Sequence, residues 1–534
     1  MSWFSGFFKT KREAIIQIVL VIGILIVANY IANQIFLQFD MTENHEYTLS
    51  KPSEVIAKSL KDPVTVTAYF SSKLPPQLHR IKSQFKDFLD EFRAYSGDNL
   101  EYNFVDPNKD QKSERTAQQA GIQPVLVNVR ERDQVSQKRA YLGAVFQYEG
   151  KSQVVPVIQP GDGLEYTIAS TIKKLTETKK PKIGLLQGNG EPTEQEMPQL
   201  MQELKDRYQI EKVSNIDTTG VPADINVLMI VAPTRAFTLN QLRSIDQYIM
   251  AGGKAIFAIN KVQANIQRGY AQPEDTGIDA LLRSYNIPIE PDLVRDLNAS
   301  SIGVSQEQSG FQFVRQIRYP YIPVITTFGN NPISKGLESV VFQFVSSVDT
   351  SKVDSLQKVT VLASSSNKSG ESSNFMSISP FQNWNRSDFT ESHIPVAALV
   401  SGVFKSHFAD NDSMKVRLKK SVKTSIVVVG DGDFVQNGPP GQHQQRLPDD
   451  NISLMANSVD YLADDTGLIA LRTKGITNRP LTLISDSSRN LLKYINVFIP
   501  ILLVLGYGFY RYEHNKSRRR QWMGKGLPKG DSFE

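Results

Sequence analysis

Hydrophobic residues concentrate in two stretches, one near each end of the chain. The first covers residues 14–37 (AIIQIVLVIGILIVANYIANQIFL) and the second covers residues 494–510 (YINVFIPILLVLGYGFY). A bilayer core of about 30 Å is crossed by about 17–25 mostly apolar helical residues. Both stretches meet this requirement and no stretch between them does. We therefore predict a transmembrane helix over residues 14–37 and a juxtamembrane and transmembrane helix over residues 487–510.

Basic residues flank both hydrophobic stretches. Three Lys or Arg residues precede the first stretch and seven follow the second. Because such residues are retained on the cytoplasmic side, we predict a cytoplasmic N-terminus (1–13) and a basic cytoplasmic tail (511–534). The intervening region would lie on the outer side of the membrane as one loop that is anchored at both ends. The alternatives are a signal peptide and a buried helix; the long first run without an A-x-A-like site favours an uncleaved anchor.

The net charge of +5 would by itself suggest a nucleic-acid partner. The basic residues beside the two hydrophobic stretches account for this excess, and the central region is close to neutral. The positive charge is therefore a topology signal and a contact for anionic membrane lipid. It does not indicate a nucleic-acid-binding surface.

Residues 41–179 alternate between strand and helix patterns, which predicts an α/β domain. The pattern gives strands at 64–70, 100–106 and 124–130, hairpin strands at 140–149 and 152–158, and helices at 77–95 and 163–178. This order resembles the thioredoxin-like fold, with 124–130 as the third main strand. Pro124 stands where that fold often carries a cis proline. The loop after the first strand reads SSKLPP without a C-x-x-C motif, which excludes thiol chemistry.

A second α/β domain is predicted over residues 180–486. Its strands, at 182–188, 225–233, 254–260 and 425–434, alternate with amphipathic helices. Such alternation predicts a parallel sheet that is covered by helices on both faces. The stretch 262–424 is less regular and contains only scattered strand candidates.

The chain has no cysteine and six dispersed histidines. Disulfides, thiol nucleophiles and cysteine-ligated metals are therefore excluded. The histidines show neither H-x₃-H nor HExxH spacing, so we predict no metal site. No cofactor is predicted either.

Two short motifs follow buried strands, where α/β proteins place ligand sites. The first, GNGEPT (188–193), contains Glu191 but lacks both G-x-G-x-x-G and the GK[ST] of a phosphate-binding loop. The second, VVVGDGDF, carries Asp431 and Asp433, which could hold a cation or polarise water. Turn formation by Gly and Asp explains both motifs as well. We keep Glu191, Asp431 and Asp433 as candidate ligand or partner contacts.

Catalytic signatures are otherwise missing from the sequence. There is no G-x-S-x-G elbow, which is the usual mark of a serine hydrolase. Within the first hydrophobic stretch, Asn29 and Asn33 share one helical face and could hydrogen-bond a neighbouring membrane helix. Interfacial solvation near the end of the span is the alternative. We therefore predict a non-enzymatic protein.

Several segments together resemble the GldG-type family, an auxiliary membrane component of ABC transporters associated with bacterial gliding motility. The resemblance rests on FDMTENHEYTLS (39–50), KIGLLQGNGEPT (182–193), VVVGDGDFVQN (427–437), NSVDYLADDTGLIALRTKGITNRPL (457–481) and the final hydrophobic stretch with its basic tail. It implies that the second domain resembles a glutamine amidotransferase fold that has lost catalysis. It also implies a permease subunit and a cytoplasmic ATPase subunit as partners.

The functional prediction is thus a tethered extracytoplasmic subunit of an ABC-type transporter complex, linked to gliding motility or envelope export. It would bind a small ligand or an envelope protein, or couple the permease to envelope partners. Two alternatives remain open: a stand-alone envelope scaffold, and a degenerate enzyme that uses Asp431 and Asp433.

Overall fold

The computed structural model describes most of the chain between the two hydrophobic stretches and a long C-terminal helix. The described residues are 19–20, 22–24, 27, 48–72, 74–131, 134–158, 163–177, 179–308, 311–352, 354–373, 376–410, 416–442, 444–473 and 486–523. The chain divides into two units, residues 1–476 and 477–534.

The N-terminal part of the first unit is a small α/β module. Its elements are α1 (Lys51–Lys58), β1 (Val64–Phe70), α2 (Pro76–Tyr95), β2 (Leu100–Val105), α3 (Gln111–Gln119), β3 (Val125–Glu131), β4 (Gln134–Ala140), β5 (Leu142–Tyr148), β6 (Lys151–Val155) and α4 (Leu164–Thr176). The main sheet has the order β2-β1-β5-β6, with β1 and β2 parallel and the other neighbours antiparallel.

The apolar faces predicted for this module form its core. Phe85, Leu89 and Phe92 recur at helical spacing on α2 and are fully buried against Val64 and Val66 of β1. Burial of one such side chain contributes about 1.5–3 kcal/mol relative to exposure. The predicted helix over 77–95 is therefore confirmed, together with its inward face.

The predicted third main strand is placed differently. It exists as β3, but it pairs only with β4 and lies outside the four-stranded sheet. The reason is composition: β5 (LGAVFQY) is apolar enough to be buried next to β1, whereas β3 (VLVNVRE) is polar in its second half and leaves Leu126 60% exposed. The Gln123–Pro124 peptide bond is trans, so the expected cis proline is also wrong.

The larger module of the first unit begins at residue 182. Its elements are β7 (Lys182–Leu186), α5 (Pro198–Lys205), β8 (Gln209–Val213), α6 (Ile216–Thr219), β9 (Val227–Val231), α7 (Leu239–Met250), β10 (Lys254–Ala258), β11 (Val262–Asn265), β12 (Tyr270–Pro273), α8 (Ile278–Ser284), β13 (Asp292–Asp296), β14 (Ala299–Gln308), β15 (Phe311–Ile325), β16 (Thr327–Phe328), β17 (Val340–Val341), β18 (Gln357–Ser364), β19 (Ser369–Ser373), β20 (Met376–Ser377), β21 (Pro395–Gly402), β22 (Thr424–Val429) and α9 (Asp449–Ala463). A 3₁₀ helix, Leu468–Thr473, follows α9.

Eight strands form the central sheet of this module, in the order β16-β18-β21-β22-β10-β9-β7-β8. The five strands from β22 to β8 are parallel, as predicted. The other three extend the sheet in antiparallel fashion. Residues of β9 alternate between two core clusters: Met229 packs with α5 and α9, and Ile230 packs with α7 and α8. Both faces are therefore covered.

The less regular stretch builds smaller sheets around the central one. They have the orders β11-β12-β20, β13-β19 and β14-β15-β17. The longest strand, β15, pairs with β14 in a hairpin that contains a register shift between Ala299 and Ser301. The sequence had indicated only separate short strands here.

The second unit contains one described helix, α10 (Asp486–Met523). Its part Lys493–Ser517 is long and apolar enough to cross a membrane, and none of it is buried. The helix continues beyond residue 510, the predicted end of the membrane span, to Met523. Residues 511–523 contain neither Gly nor Pro, the strongest helix breakers.

The first predicted span is described only at residues 19–20, 22–24 and 27, which are helical and exposed. Asn29 and Asn33 lie outside the described residues. The spanning helix found among the residues that the structure describes is therefore the C-terminal one. A two-pass topology stays a prediction.

Candidate functional site

The aspartates of VVVGDGDF lie at the carboxyl end of β22, in the middle of the eight-stranded sheet. The chain leaves the strand through a tightly packed turn. A Cβ atom on Gly430 would lie 2.0 Å from the carbonyl oxygen of Ser346, and one on Gly432 would lie 2.6 Å from Cβ of Ala232. Only glycine fits these two positions, which explains the spacing of the motif.

Asp431 is completely buried, and both of its carboxylate oxygens are used by the backbone. Oδ2 accepts the N–H of Gln343 at 2.7 Å, and Oδ1 accepts the N–H of Asp433 at 2.6 Å. Burial raises the pKa of Asp431 well above its ordinary value, and the charge of Asp433 adds to this, whereas the N–H donors act in the opposite direction. The carboxylate therefore holds the turn against the segment that follows β17.

Asp433 is less buried and begins a short 3₁₀ helix, Asp433–Val435. Its Oδ1 accepts a hydrogen bond of 2.6 Å from the side-chain amide of Gln436. Burial raises the pKa of Asp433, and the Asn260 side chain opposes that rise. Asn260 also accepts the N–H of Gly432 at 2.6 Å. The predicted pair is thus brought together, with Asp433 as its more accessible member.

A second cluster of charged residues lies beside this turn: Lys261, Glu274 and Asp279. The sequence analysis did not identify them as candidates. Lys261, which follows β10, forms a buried ion pair with Asp279 of α8 and donates to the carbonyl oxygen of Glu274 at 3.0 Å. Burial raises the pKa of Glu274, and the nearby charge of Asp433 adds to it. Burial also raises the pKa of Asp279, whose Oδ1 has no hydrogen-bond partner. These residues are dispersed along the chain and belong to no sequence motif. Sequence analysis alone therefore had no signal by which to identify them.

Glu191 lies in the turn after β7, at the same carboxyl edge of the sheet. Its Oε2 accepts the N–H of Asn189 at 2.7 Å, while its buried Oε1 has no partner. Asn189 in turn accepts the N–H groups of Thr234 and Arg235 at 3.0 and 2.8 Å. Glu191 is therefore part of a turn that joins the loops after β7 and β9. None of the contacts described for it reaches Asp431 or Asp433.

Several cavities lie among the described residues of the first unit. One of about 420 Å³ is lined by Gln343, whose N–H binds Asp431, and by Ser300, Gln445 and Asn451. The larger one, of about 850 Å³, lies between α4 and the segments around Arg207 and Asp460. Among the described residues, no group of three or more His, Asp or Glu side chains is arranged to hold a metal ion.

Two family profiles match separate parts of the chain. Residues 43–147 match a domain of unknown function, DUF7088. Residues 180–464, which make up the larger module, match the family described as "ABC-type uncharacterized transport system". The boundary predicted at residue 180 coincides with the start of this second match.

The chain is also similar to several individual proteins. An uncharacterized protein of Borreliella burgdorferi is 23% identical over an alignment of 528 residues that covers 95% of this chain and 99% of that protein. The mmIFT52 N-terminal domain covers 53% of this chain and 96% of its own, at 15% identity and a TM-score of 0.32. A ThuA-like protein from Parabacteroides merdae covers 53% of this chain and 90% of its own, at 12% identity and a TM-score of 0.27.

The two structural similarities are too weak to support a fold assignment, so the topology described above stands on its own. The family match extends over more than half of the chain and includes every strand of the central sheet. It therefore shows that this chain belongs to the family of auxiliary proteins described as an ABC-type uncharacterized transport system.

Proposed function

We propose that this chain is a non-enzymatic, membrane-anchored extracytoplasmic subunit of an ABC-type transporter complex. The observation that carries the proposal is the family match over residues 180–464 in a chain that also contains a fully exposed, membrane-length helix. The sequence has no P-loop motif, so ATP hydrolysis would come from a separate cytoplasmic ATPase subunit that acts through a permease subunit.

A mechanical role is supported by the way the first unit holds the segments leading to the two hydrophobic stretches. The entry segment is bound to the start of α4: Glu165 Oε1 accepts both the N–H and the hydroxyl of Ser50, at 2.6 and 2.5 Å. The exit segment is bound near the end of the same helix, where Lys173 lies 3.5 Å from Asp464 and 3.4 Å from Thr466.

Apolar packing reinforces both attachments. Leu49 of the entry segment and Leu468 and Leu471 of the exit segment belong to the core of the small module, with Ile168 and Ile172 of α4. Glu165 and Lys173 are eight residues apart, about 12 Å along a helix. The single helix α4 therefore binds both segments. A displacement of either segment would be transmitted to the other through this helix.

The finer parts of the proposal follow from the sequence resemblance. The order β2-β1-β5-β6, a parallel pair extended by an antiparallel hairpin, supports a thioredoxin-like small module with β3 and β4 inserted. An amidotransferase-like larger module, a link to gliding motility, and a two-pass topology with a periplasmic region are further parts of the same proposal.

The enzyme alternative receives little support from the site. Asp431 is completely buried and its two oxygens accept backbone N–H groups, so this carboxylate is not exposed to a substrate. We propose that Asp431 is structural.

Co-purification tests the proposed function. The full chain with a C-terminal tag is extracted from native membranes in mild detergent and analysed by size exclusion and mass spectrometry. The proposal predicts that an ABC permease and an ATPase elute with it, and that deletion of α10 abolishes this association. Elution of the intact chain without either subunit would contradict the proposal and favour a stand-alone envelope scaffold.

A further inference from the structure

The hairpin of β14 and β15 includes a two-stranded ribbon that is separate from the central sheet. Within it the strands pair from Ser301 and Arg318 out to residues 308 and 311. A third strand, β17, meets β15 only at Val324 and Ile325, beyond this ribbon. A two-stranded hairpin is marginally stable in water, and a third strand is one way to stabilise it. Among the described residues, no third strand joins the ribbon.

The ribbon is also open to solvent on its faces. Phe313 and Val314 of β15 are apolar but 56% and 68% exposed. Successive residues of a strand point to opposite faces, so one of these two side chains lies on each face. Arg315 and Gln316, which follow them, are exposed as well. This part of β15 is therefore not buried by another layer of the described structure.

The outer edge of β15, on the side away from β14, carries unpaired backbone groups. In an antiparallel pair, every second residue directs its N–H and C=O groups away from the partner strand. For residues 311–318, the described backbone hydrogen bonds include none on this outer side. Such an edge is a template for one more strand. Lipid would be a poor cover, because it cannot hydrogen-bond these groups.

The edge of β15 is a better template than the outer edge of β14. β14 contains Gly303 and a register shift between Ala299 and Ser301. Glycine weakens a strand, and a bulge disrupts the pairing of a ladder. β15 instead carries Phe313 and Val314, whose residue types are enriched in strands. An added strand should therefore pair with β15.

We propose that a second copy of this chain adds its own β15 to this edge, in antiparallel orientation around a two-fold axis at Val314. In this register Val314 lies opposite Val314 of the second copy, and Phe313 lies opposite Arg315 of the second copy. The first is an apolar pair and the second a cation–π pair, and both stabilise a sheet. The two hairpins together form a four-stranded antiparallel sheet, which supplies the missing strands.

Charge and strand length select this register over its neighbours. A shift of each strand by one residue would centre the axis on Arg315 and place two guanidinium groups directly opposite each other, which is destabilising. The reverse shift would leave Gln316 and Ile317 without opposite residues, because β15 begins at Phe311. A shift by two residues toward the base would involve the buried Pro320, which has no N–H to donate.

Disulfide crosslinking tests this register, since the native chain contains no cysteine. The full chain is purified in mild nonionic detergent, and Val314→Cys is oxidised with copper phenanthroline. We expect a covalent dimer, because directly opposite residues have Cα atoms about 4.5–5.5 Å apart, which a disulfide can span. The matched control is Arg318→Cys, on the same face of the same strand. In this register its two copies would be about 27 Å apart, so it should not crosslink.

A second pair of variants separates this interface from contacts elsewhere. Val314→Lys places two like charges at the axis, and Val422→Lys is the control at a position that is also 62% exposed. Sedimentation equilibrium of the full chain in the same detergent should show that Val314→Lys raises the Kd of the dimer by about tenfold or more, while the control stays within about twofold. Circular dichroism checks that both variants fold.

The proposal is overturned if the native chain stays monomeric, if Val314→Lys leaves the Kd unchanged, or if Val314→Cys and Arg318→Cys crosslink equally. A thiol-directed photocrosslinker on Val314→Cys in native membranes detects other occupants. An adduct with a different protein, and none with a second copy, would also overturn the proposal. Because the dimer is measured with the purified chain alone, its absence would leave the proposed function untouched.

Discussion

The carboxylate of Asp431 accepts the backbone N–H of Gln343 at 2.7 Å, although the two residues are 88 positions apart in the chain. This contact joins the end of the central strand β22 to the segment after β17. Phe342, which precedes Gln343, packs against Phe434, three residues after Asp431, with ring centroids 5.3 Å apart. The acidic motif is thereby a structural junction between the central sheet and the region that is least regular in sequence.

Removal of this carboxylate should destabilise the larger module. Asp431→Ala leaves the buried N–H groups of Gln343 and Asp433 without acceptors, and we expect a loss of about 2–4 kcal/mol in unfolding free energy. Urea denaturation followed by circular dichroism measures it. Asp410→Ala is the control, since that side chain is 82% exposed and its described ion pair is with the exposed Lys405. Equal stabilities of the two variants would refute the assigned role of Asp431.

The buried pair of Lys261 and Asp279 should be sensitive to loss of its lysine. Lys261→Met leaves an uncompensated carboxylate in a buried position, and we expect destabilisation by about 3–5 kcal/mol. The exposed pair of Lys405 and Asp410 provides a matched test, in which Lys405→Met should cost less than about 1 kcal/mol. Similar thermal unfolding midpoints for both variants would show that burial of the first pair has no energetic consequence.

The carboxyl groups of Glu371 and Asp349 should change the stability of the fold in opposite directions as the pH rises. Burial, with the charges of Asp292 and Glu391, raises the pKa of Glu371 from 4.5 to about 6. The folded state therefore binds this proton more tightly, and the stabilisation is full below pH 4.5 and is lost as the pH rises through about 6. The unfolding midpoint of the native chain should accordingly fall relative to Glu371→Gln over this interval.

Asp349 supplies the opposite case. Hydrogen bonds led by that from the Ser351 hydroxyl lower the pKa of Asp349 from 3.8 to about 2. Its stabilisation is present above pH 3.8 and is lost as the pH falls through about 2. The native chain should therefore lose stability relative to Asp349→Asn on acidification. Profiles with the same sign for both residues would contradict the assigned environments.

Attachment of the entry segment to α4 should depend on Glu165. In Glu165→Ala, the N–H and hydroxyl of Ser50 lose their acceptor, at an expected cost of about 1–3 kcal/mol. Hydrogen exchange measured by mass spectrometry should show faster exchange in α1 while β9 and β10 stay protected. Glu101→Ala, on the exposed side of β2, serves as the control. Unchanged exchange in α1 would mean that Glu165 does not hold the segment.

The sequence predicted those elements whose signal is local. The amphipathic face of α2 and the apolar runs of β9 and β22 were placed within a few residues, because burial imposes a recognisable period on each. The pairing of β3 with β4, rather than with β1, depends on competition with β5 for a buried position. The hydrophobic pattern of one strand does not show which of two strands will occupy the buried position next to β1. The predicted placement of β3 as a main strand of the sheet was therefore wrong.

The candidate site, too, was predictable only where the sequence signal is local. The Gly and Asp spacing pointed correctly to a turn at a strand end, since turn chemistry is local. The role of Asp431 depends on Gln343, and that of Lys261 on Asp279, and these partners come from distant segments. For Glu191 the sequence indicated a turn or a ligand contact, and the structure describes the turn contacts.

Contact between α10 and a permease is central to the proposed function, and site-directed crosslinking tests this contact directly. Because the native chain contains no cysteine, single cysteines introduced along residues 498–509 provide a unique thiol at each position. A thiol-directed photocrosslinker in native membranes should yield an adduct with an ABC permease at positions that repeat every three to four residues, as expected for one face of a helix. Crosslinking to lipid alone at every position, or to proteins unrelated to ABC transport, would contradict the proposed function.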